Sequence, residues 1–185
     1  MLPAISIVGH SNSGKTTLME HLIRELKKRG HHLAAVKHAH KGFDLDRPGK
    51  DSYRFDAAGC KSIALLGARR SALIRTHEEG YAFDDLLDLA GSGADIVLIE
   101  GLSSGPYPKI EVHRDDLGRG LRCNPEDLLA VVTDRALDIG CKQFSPQEIG
   151  AIADLVEQSV SEGASEKTSD PGRQHNLTHV PKRCR

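Results

Sequence analysis

Apolar positions fall into short continuous runs separated by amphipathic stretches, the layout of strands alternating with helices. AISIV, Ala4 to Val8, reads as a buried strand, and the stretch from Thr16 to Gly30, TTLMEHLIRELKKRG, has the spacing of an amphipathic helix closed by its glycine. HHLAAVKHAH supplies a second strand centred on Leu33 to Val36. KGFDLDRPGKDSYRFDAAG then gives a polar loop with a Pro-Gly break that leads into a short helix. SIALL and SALIR are two short strands split by Gly67, Ala68, Arg69 and Arg70, which predicts a hairpin. YAFDDLLDLAGSG is a helix stopped by glycines, DIVLIEG a continuous buried strand, PKIEVHR an alternating one and LLAVVTD another buried one. SPQEIGAIADLVEQSV closes the fold: Ser145 serves as N-cap, Pro146 as first helical residue and Glu148 completes a capping box. Ile149, Ile152 and Leu155/Val156 share one face of that helix. The expected architecture is α/β, a mostly parallel sheet flanked by helices with a local antiparallel hairpin. It spans residues 1–160, and a polar tail rich in Ser, Gly, Pro and charge, 161–185, is expected to be mobile.

Composition narrows the function classes. Twenty-five Lys and Arg against 26 Asp and Glu leave a formal charge of −1, so no broad field calls for nucleic acid or an anionic membrane. The longest apolar runs are far too short to span a bilayer, and MLPAISIV lacks the basic region and apolar core of a leader, so a cytoplasmic protein is expected. Cys60, Cys123, Cys141 and Cys184 form no C-x-x-C pair and read as ordinary reduced thiols. His38 and His40 lie two apart, a spacing that puts both on one face of a strand, yet two His without a third ligand are weak grounds for a metal.

The chemistry sits between the first strand and the first helix. Gly9, His10, Ser11, Asn12, Ser13, Gly14, Lys15, Thr16 and Thr17 spell GHSNSGKTT, which fits G-x-x-x-x-G-K-[ST] with Gly9, Gly14, Lys15 and Thr16 in the specified places. Strand, loop and helix arrive in the order that a P-loop NTPase requires. A nucleoside triphosphate brings about four negative charges, which backbone N–H donors at the positive end of a helix accommodate. In that arrangement Lys15 reaches the β- and γ-phosphates, Thr16 ligates Mg²⁺ and Thr17 adds a donor at the α-phosphate.

A second acidic group is expected at the end of a neighbouring strand. Glu100, followed by Gly101, closes DIVLIEG at the sheet's carboxyl edge, where ligands bind in open α/β sheets. Thr16 and Glu100 are therefore the candidate metal ligands, with Asp44, Asp46 and Asp51 competing for the carboxylate role. Asp51 is equally read as a helix cap. No N-K-x-D occurs, but Asp134 ends LLAVVTD. Its carboxylate suits the N1–H and 2-amino group of guanine and repels the N1 lone pair of adenine; the equal alternative is an N-cap for RALDIG. No Gln falls between Lys37 and Gly105 to orient water, and nothing fixes Arg47, Arg54, Arg69 or Arg70 as a cationic finger. Intrinsic turnover is expected on the order of 10⁻⁴ to 10⁻² per second.

With these residues in view, the chain resembles the MobB family of molybdopterin-guanine dinucleotide biosynthesis proteins over roughly Ile5 to Val160. The resemblance rests on GHSNSGKTT, on VKHAH followed by DLDRPGKDSYRFDAAG, on DIVLIEG, on PYPKIEV and on AVVTD. It implies a GTP- and Mg²⁺-binding adapter, not itself the nucleotidyltransferase. Such a protein cooperates with a MobA guanylyltransferase that joins GMP from GTP to Mo-molybdopterin, and often forms a homodimer through its sheet. Gly9 to Thr17 then match the GTP phosphate loop, Glu100 and Gly101 the second acidic motif, and Lys37, His38, His40 and the Asp46 to Ser52 loop a family motif to which the sequence assigns no task, its loop either closing over GTP or facing the pterin partner. Two other classes compete: an ATP-dependent small-molecule kinase, whose Arg-rich lid only Arg69 and Arg70 resemble, and a metallochaperone GTPase using His31, His32, His38 and His40.

Overall fold

The computed structural model describes residues 3–39, 42–43, 48–77 and 83–165. Among these residues eight strands and four α-helices follow in order: β1 Ala4–Val8, α1 Lys15–Lys28, β2 Leu33–Lys37, α2 Asp51–Ala57, β3 Ser62–Leu66, β4 Ser71–Arg75, α3 Phe83–Gly91, β5 Ile96–Glu100, β6 Lys109–His113, β7 Leu128–Thr133, β8 Gln143–Phe144 and α4 Ile149–Ser165. Six of the strands form one parallel sheet in the order β2-β5-β1-β6-β7-β8. β1 lies at its centre between β5 and β6, so the chain fills one side of β1 and then crosses to the other. That reversal opens a crevice at the carboxyl end of β1.

The continuous apolar runs are explained by two covered faces. Ile96 and Leu98 of β5 join Ile5 and Ile7 of β1 in the core beneath α1 and α4, where Leu22, Leu26, Ile152 and Val156 are fully buried. The alternate residues Val97 and Ile99 pack with Val36 and with Leu87 of α3 on the opposite face.

The expected antiparallel hairpin is present, and three other expectations are corrected. β3 and β4 pair antiparallel as anticipated, but they form a separate two-stranded sheet outside the main one. β6, read as alternating, buries its polar positions too: Glu111 is fully enclosed, because the chain after β6 folds back onto its carboxylate, and His113 is nearly so. The last helix begins at Ile149, so Glu148 occupies the cap position expected of Ser145. Half of the capping box survives, since the Ser145 N–H donates to the Glu148 carboxylate at 2.7 Å. α4 also runs five residues past Val160, to Ser165. β8 has no counterpart in the sequence reading, and the remainder of the tail lies outside the described residues.

Candidate functional site

The GHSNSGKTT loop leaves β1 at Gly9, whose φ of 136° belongs to the glycine-favouring region. A Cβ there would stand 2.3 Å from the Val112 carbonyl oxygen, so a side chain cannot fit between the loop and β6. Gly14, at φ 99°, turns the chain into α1. That helix begins with neither a side-chain cap nor an acidic residue in its first turn, so no side chain of the helix itself satisfies its leading N–H groups or balances its positive dipole end. Ser13 is 1% exposed, and its hydroxyl has no hydrogen-bond partner among the described residues. A phosphate oxygen is the kind of acceptor such a group needs.

Lys15 Nζ donates to the carbonyls of Gly9 at 3.1 Å and His10 at 2.6 Å. Burial pushes the pKa of its ammonium below the ordinary lysine value, with Arg122 and Lys37 adding to the effect and Glu100 and Glu111 opposing it. The Thr16 hydroxyl lies 3.2 Å from each oxygen of the Glu100 carboxylate, and Lys37 Nζ is 3.6 Å from Oε1. The pairing registers account for this meeting. Glu100 closes β5 opposite Ile7 of β1 and Lys37 of β2, and the Gly101 N–H donates to the Ile7 carbonyl at 2.9 Å. A hydroxyl and a carboxylate beside a phosphate cradle are the hard oxygen donors that suit Mg²⁺. Among the described residues no three His, Cys, Asp or Glu side chains cluster as an all-protein metal cage.

Two cavities meet at the loop. One, of about 900 Å³, is lined by the loop with Lys37, His38, Glu100, Gly101 and Arg122. The other, of about 580 Å³, lies between α1 and the ends of β6 and β7, with Thr17, His21, Arg114 and Gln147 in its wall. Gly14 and Thr17 belong to both. Gly9, Ser11, Asn12, Gly14, Lys15, Thr16, Thr17, Glu100 and Gly101 of the anticipated set therefore line the larger cavity, and Ser13 lines the smaller. His10 turns to the side, its Nε2 3.0 Å from the Gly120 carbonyl.

Asp134 lines neither cavity. It is exposed, and its carboxylate accepts the Asp115 N–H at 3.3 Å, while residues 135–140 contain no helix for it to cap. Among the competing carboxylates, Asp51 is the first residue of α2 and lies 4.0 Å from Arg54, away from both cavities; Asp44 and Asp46 lie outside the described residues. Arg69 and Arg70 sit in the β3–β4 turn, and neither lines either of these two cavities. His31 and His32 bind Glu157 and Asp95 at the start of β2, whereas His38 follows its end, roughly 20 Å away at strand rise. His40 is outside the described residues.

Sequence reasoning missed Glu111 and Arg122. The available signal was the glutamate itself, an ionisable group inside a strand that the topology places beside β1, where a charge is rarely buried without partners.

Residues 4–134 match the family model described as molybdopterin guanine dinucleotide synthesis protein B. A Haemophilus influenzae protein named molybdopterin-guanine dinucleotide biosynthesis adapter protein is 36% identical over 157 residues, covering 84% of this chain and 88% of that one. An Escherichia coli protein of the same name is 32% identical over 166 residues, covering 84% and 92%. A crystal structure of molybdopterin-guanine biosynthesis protein B superposes with a TM-score of 0.65 at 30% identity, covering 85% of this chain and 99% of that one. A parallel sheet reversing at β1, a GHSNSGKTT loop at its crevice and a family match over most of the chain together place this protein in the MobB family.

Proposed function

We propose that this chain is a GTP-binding adapter with slow GTPase activity that assists a MobA-type guanylyltransferase in converting Mo-molybdopterin to molybdopterin guanine dinucleotide. The adapter role is what the names of the H. influenzae and E. coli relatives describe. The observation that carries the nucleotide part is the contact between Thr16 and Glu100 beside an uncapped helix start, which assembles an anion cradle and a hard-oxygen cation site within one cavity. In this reading Gly9 to Thr17 hold the phosphates and Thr16 and Glu100 share Mg²⁺ with them. The nucleoside extends past Thr17 into the smaller cavity, toward the loop where Asp134 reads guanine. A second copy of the chain completes a homodimer.

The chain has no Trp to report binding, so the test uses fluorescent GTP and ATP analogues with Mg²⁺ on the wild type, Lys15→Ala and Asp134→Asn. The expected outcome is a clear preference for GTP, loss of binding in Lys15→Ala, and loss of the preference, with ATP binding retained, in Asp134→Asn. A wild type that favours ATP would remove both the guanine assignment and the adapter reading built on it.

A further inference from the structure

The chain between β6 and β7 does more than join neighbouring strands. Glu111 stands in the middle of β6, opposite Val8 at the end of β1, and is completely buried. Its two carboxylate oxygens each accept a backbone N–H from the returning loop, from Arg122 at 2.6 Å and Cys123 at 3.0 Å. A buried carboxylate that accepts two charge-assisted bonds fixes the segment that supplies them. Two residues earlier in that segment, the Gly120 carbonyl meets His10 of the phosphate loop. The loop is thus tied both to the core strand and to the phosphate cradle.

What this anchoring delivers is Arg122. Its guanidinium lines the larger cavity with Lys15 and Thr16, and it has no ion pair or side-chain hydrogen bond among the described residues. Its position along a bound nucleotide follows from the two cavities. They meet at Gly14 and Thr17, so the nucleoside end lies there; Arg122 lines only the larger one and also borders Ser103 and Ser104, just past Gly101. That is the end farthest from the nucleoside.

We propose that Arg122 contacts the γ-phosphate of the bound nucleoside triphosphate, a cation supplied in cis by the β6–β7 loop and held in position by Glu111. The inference rests on the nucleotide-binding reading above and assigns it a residue that distinguishes triphosphate from diphosphate. An arginine presents planar N–H donors that match phosphate oxygens, which complements the point charge of Lys15.

Binding of fluorescent GTP and GDP analogues with Mg²⁺ tests it in the wild type, Arg122→Ala, Arg122→Lys and Glu111→Gln. Arg122 is exposed, so its substitution leaves the core intact. The preference for GTP over GDP should fall by about 10- to 100-fold in Arg122→Ala, the range of a charge-assisted contact, and recover in part in Arg122→Lys. Glu111→Gln should lose preference in the same direction, a change in ratio that mere loosening of the fold would not select. If Arg122→Ala weakens GTP and GDP equally, or neither, the inference fails while the nucleotide reading stands. If the wild type binds neither nucleotide, both fall.

Discussion

Gly9 is where one added methyl group has the most to break. At φ 136° an alanine is already strained, and its Cβ would press on the Val112 carbonyl at 2.3 Å and the Ser13 hydroxyl at 2.9 Å. Backbone does not yield to such an approach, so the loop or β6 has to move. Gly9→Ala is expected to cost about 2–4 kcal/mol in urea unfolding and to abolish binding of fluorescent GTP. A variant of wild-type stability that still binds would show that the close approach is dispensable. Residues of this kind are legible in sequence because the constraint is local: Gly9, Gly14, Lys15 and Thr16 stand at fixed offsets in one segment. Glu100 was legible because it ends an apolar run. Arg122 was not, because its role is created by a fold-back between residues 11 and 12 apart that no periodicity announces.

At the scale of elements, the continuous runs were read well because a strand covered on both faces has no polar alternation to imitate. β8 was missed because two residues carry no period, and Gln143 is held there by its own side chain, which bonds the Leu137 N–H and carbonyl at 2.8 Å each. The pairing of α1 with α4 is likewise long-range. Ile152, Ala153 and Val156 close over Leu22 and Leu26, so Ile152→Ala should cost about 2–5 kcal/mol in chemical denaturation while leaving GTP affinity unchanged. A loss of affinity equal to the loss of stability would mean that α4 shapes the site directly. On the other face, Tyr107 donates to Asp84 of α3 at 2.6 Å, and burial, with that acceptor, pushes its hydroxyl up to about 12. The neutral phenol is the form the fold prefers. Its contribution is complete below the ordinary value of 10.0 and fades as pH rises through about 12. Thermal melts across that alkaline window should decline less steeply for Tyr107→Phe than for the wild type, and parallel curves would refute the assignment.

At the scale of the whole molecule, the β3–β4 hairpin leaves one of its faces exposed among the described residues. It is detached from the six-stranded sheet, and two strands alone are marginal in water. One face is anchored by Ile63, 5% exposed, and its cross-strand partner Ile74. The other carries Leu66 and Leu73, 86% and 46% exposed, with Ala64 paired to Leu73 between them. Leaving leucines uncovered on a marginal hairpin costs stability unless something covers them, and a second copy in the proposed homodimer would do so with an identical face through a two-fold axis. The proposed homodimer would therefore bury this face, and sedimentation should report a mass of about 40 kDa, twice the 20.1 kDa of one chain. Leu66→Glu combined with Leu73→Glu sets like charges against each other across that axis and should give a 20.1 kDa species. The nucleotide cavity, which neither leucine lines, should retain its affinity in that variant. A wild type that sediments as one chain at tens of micromolar would reject the dimer. A dimer that survives both substitutions would move the contact to another surface, the edge strand β2 being the next candidate because its outer backbone has no strand partner among the described residues.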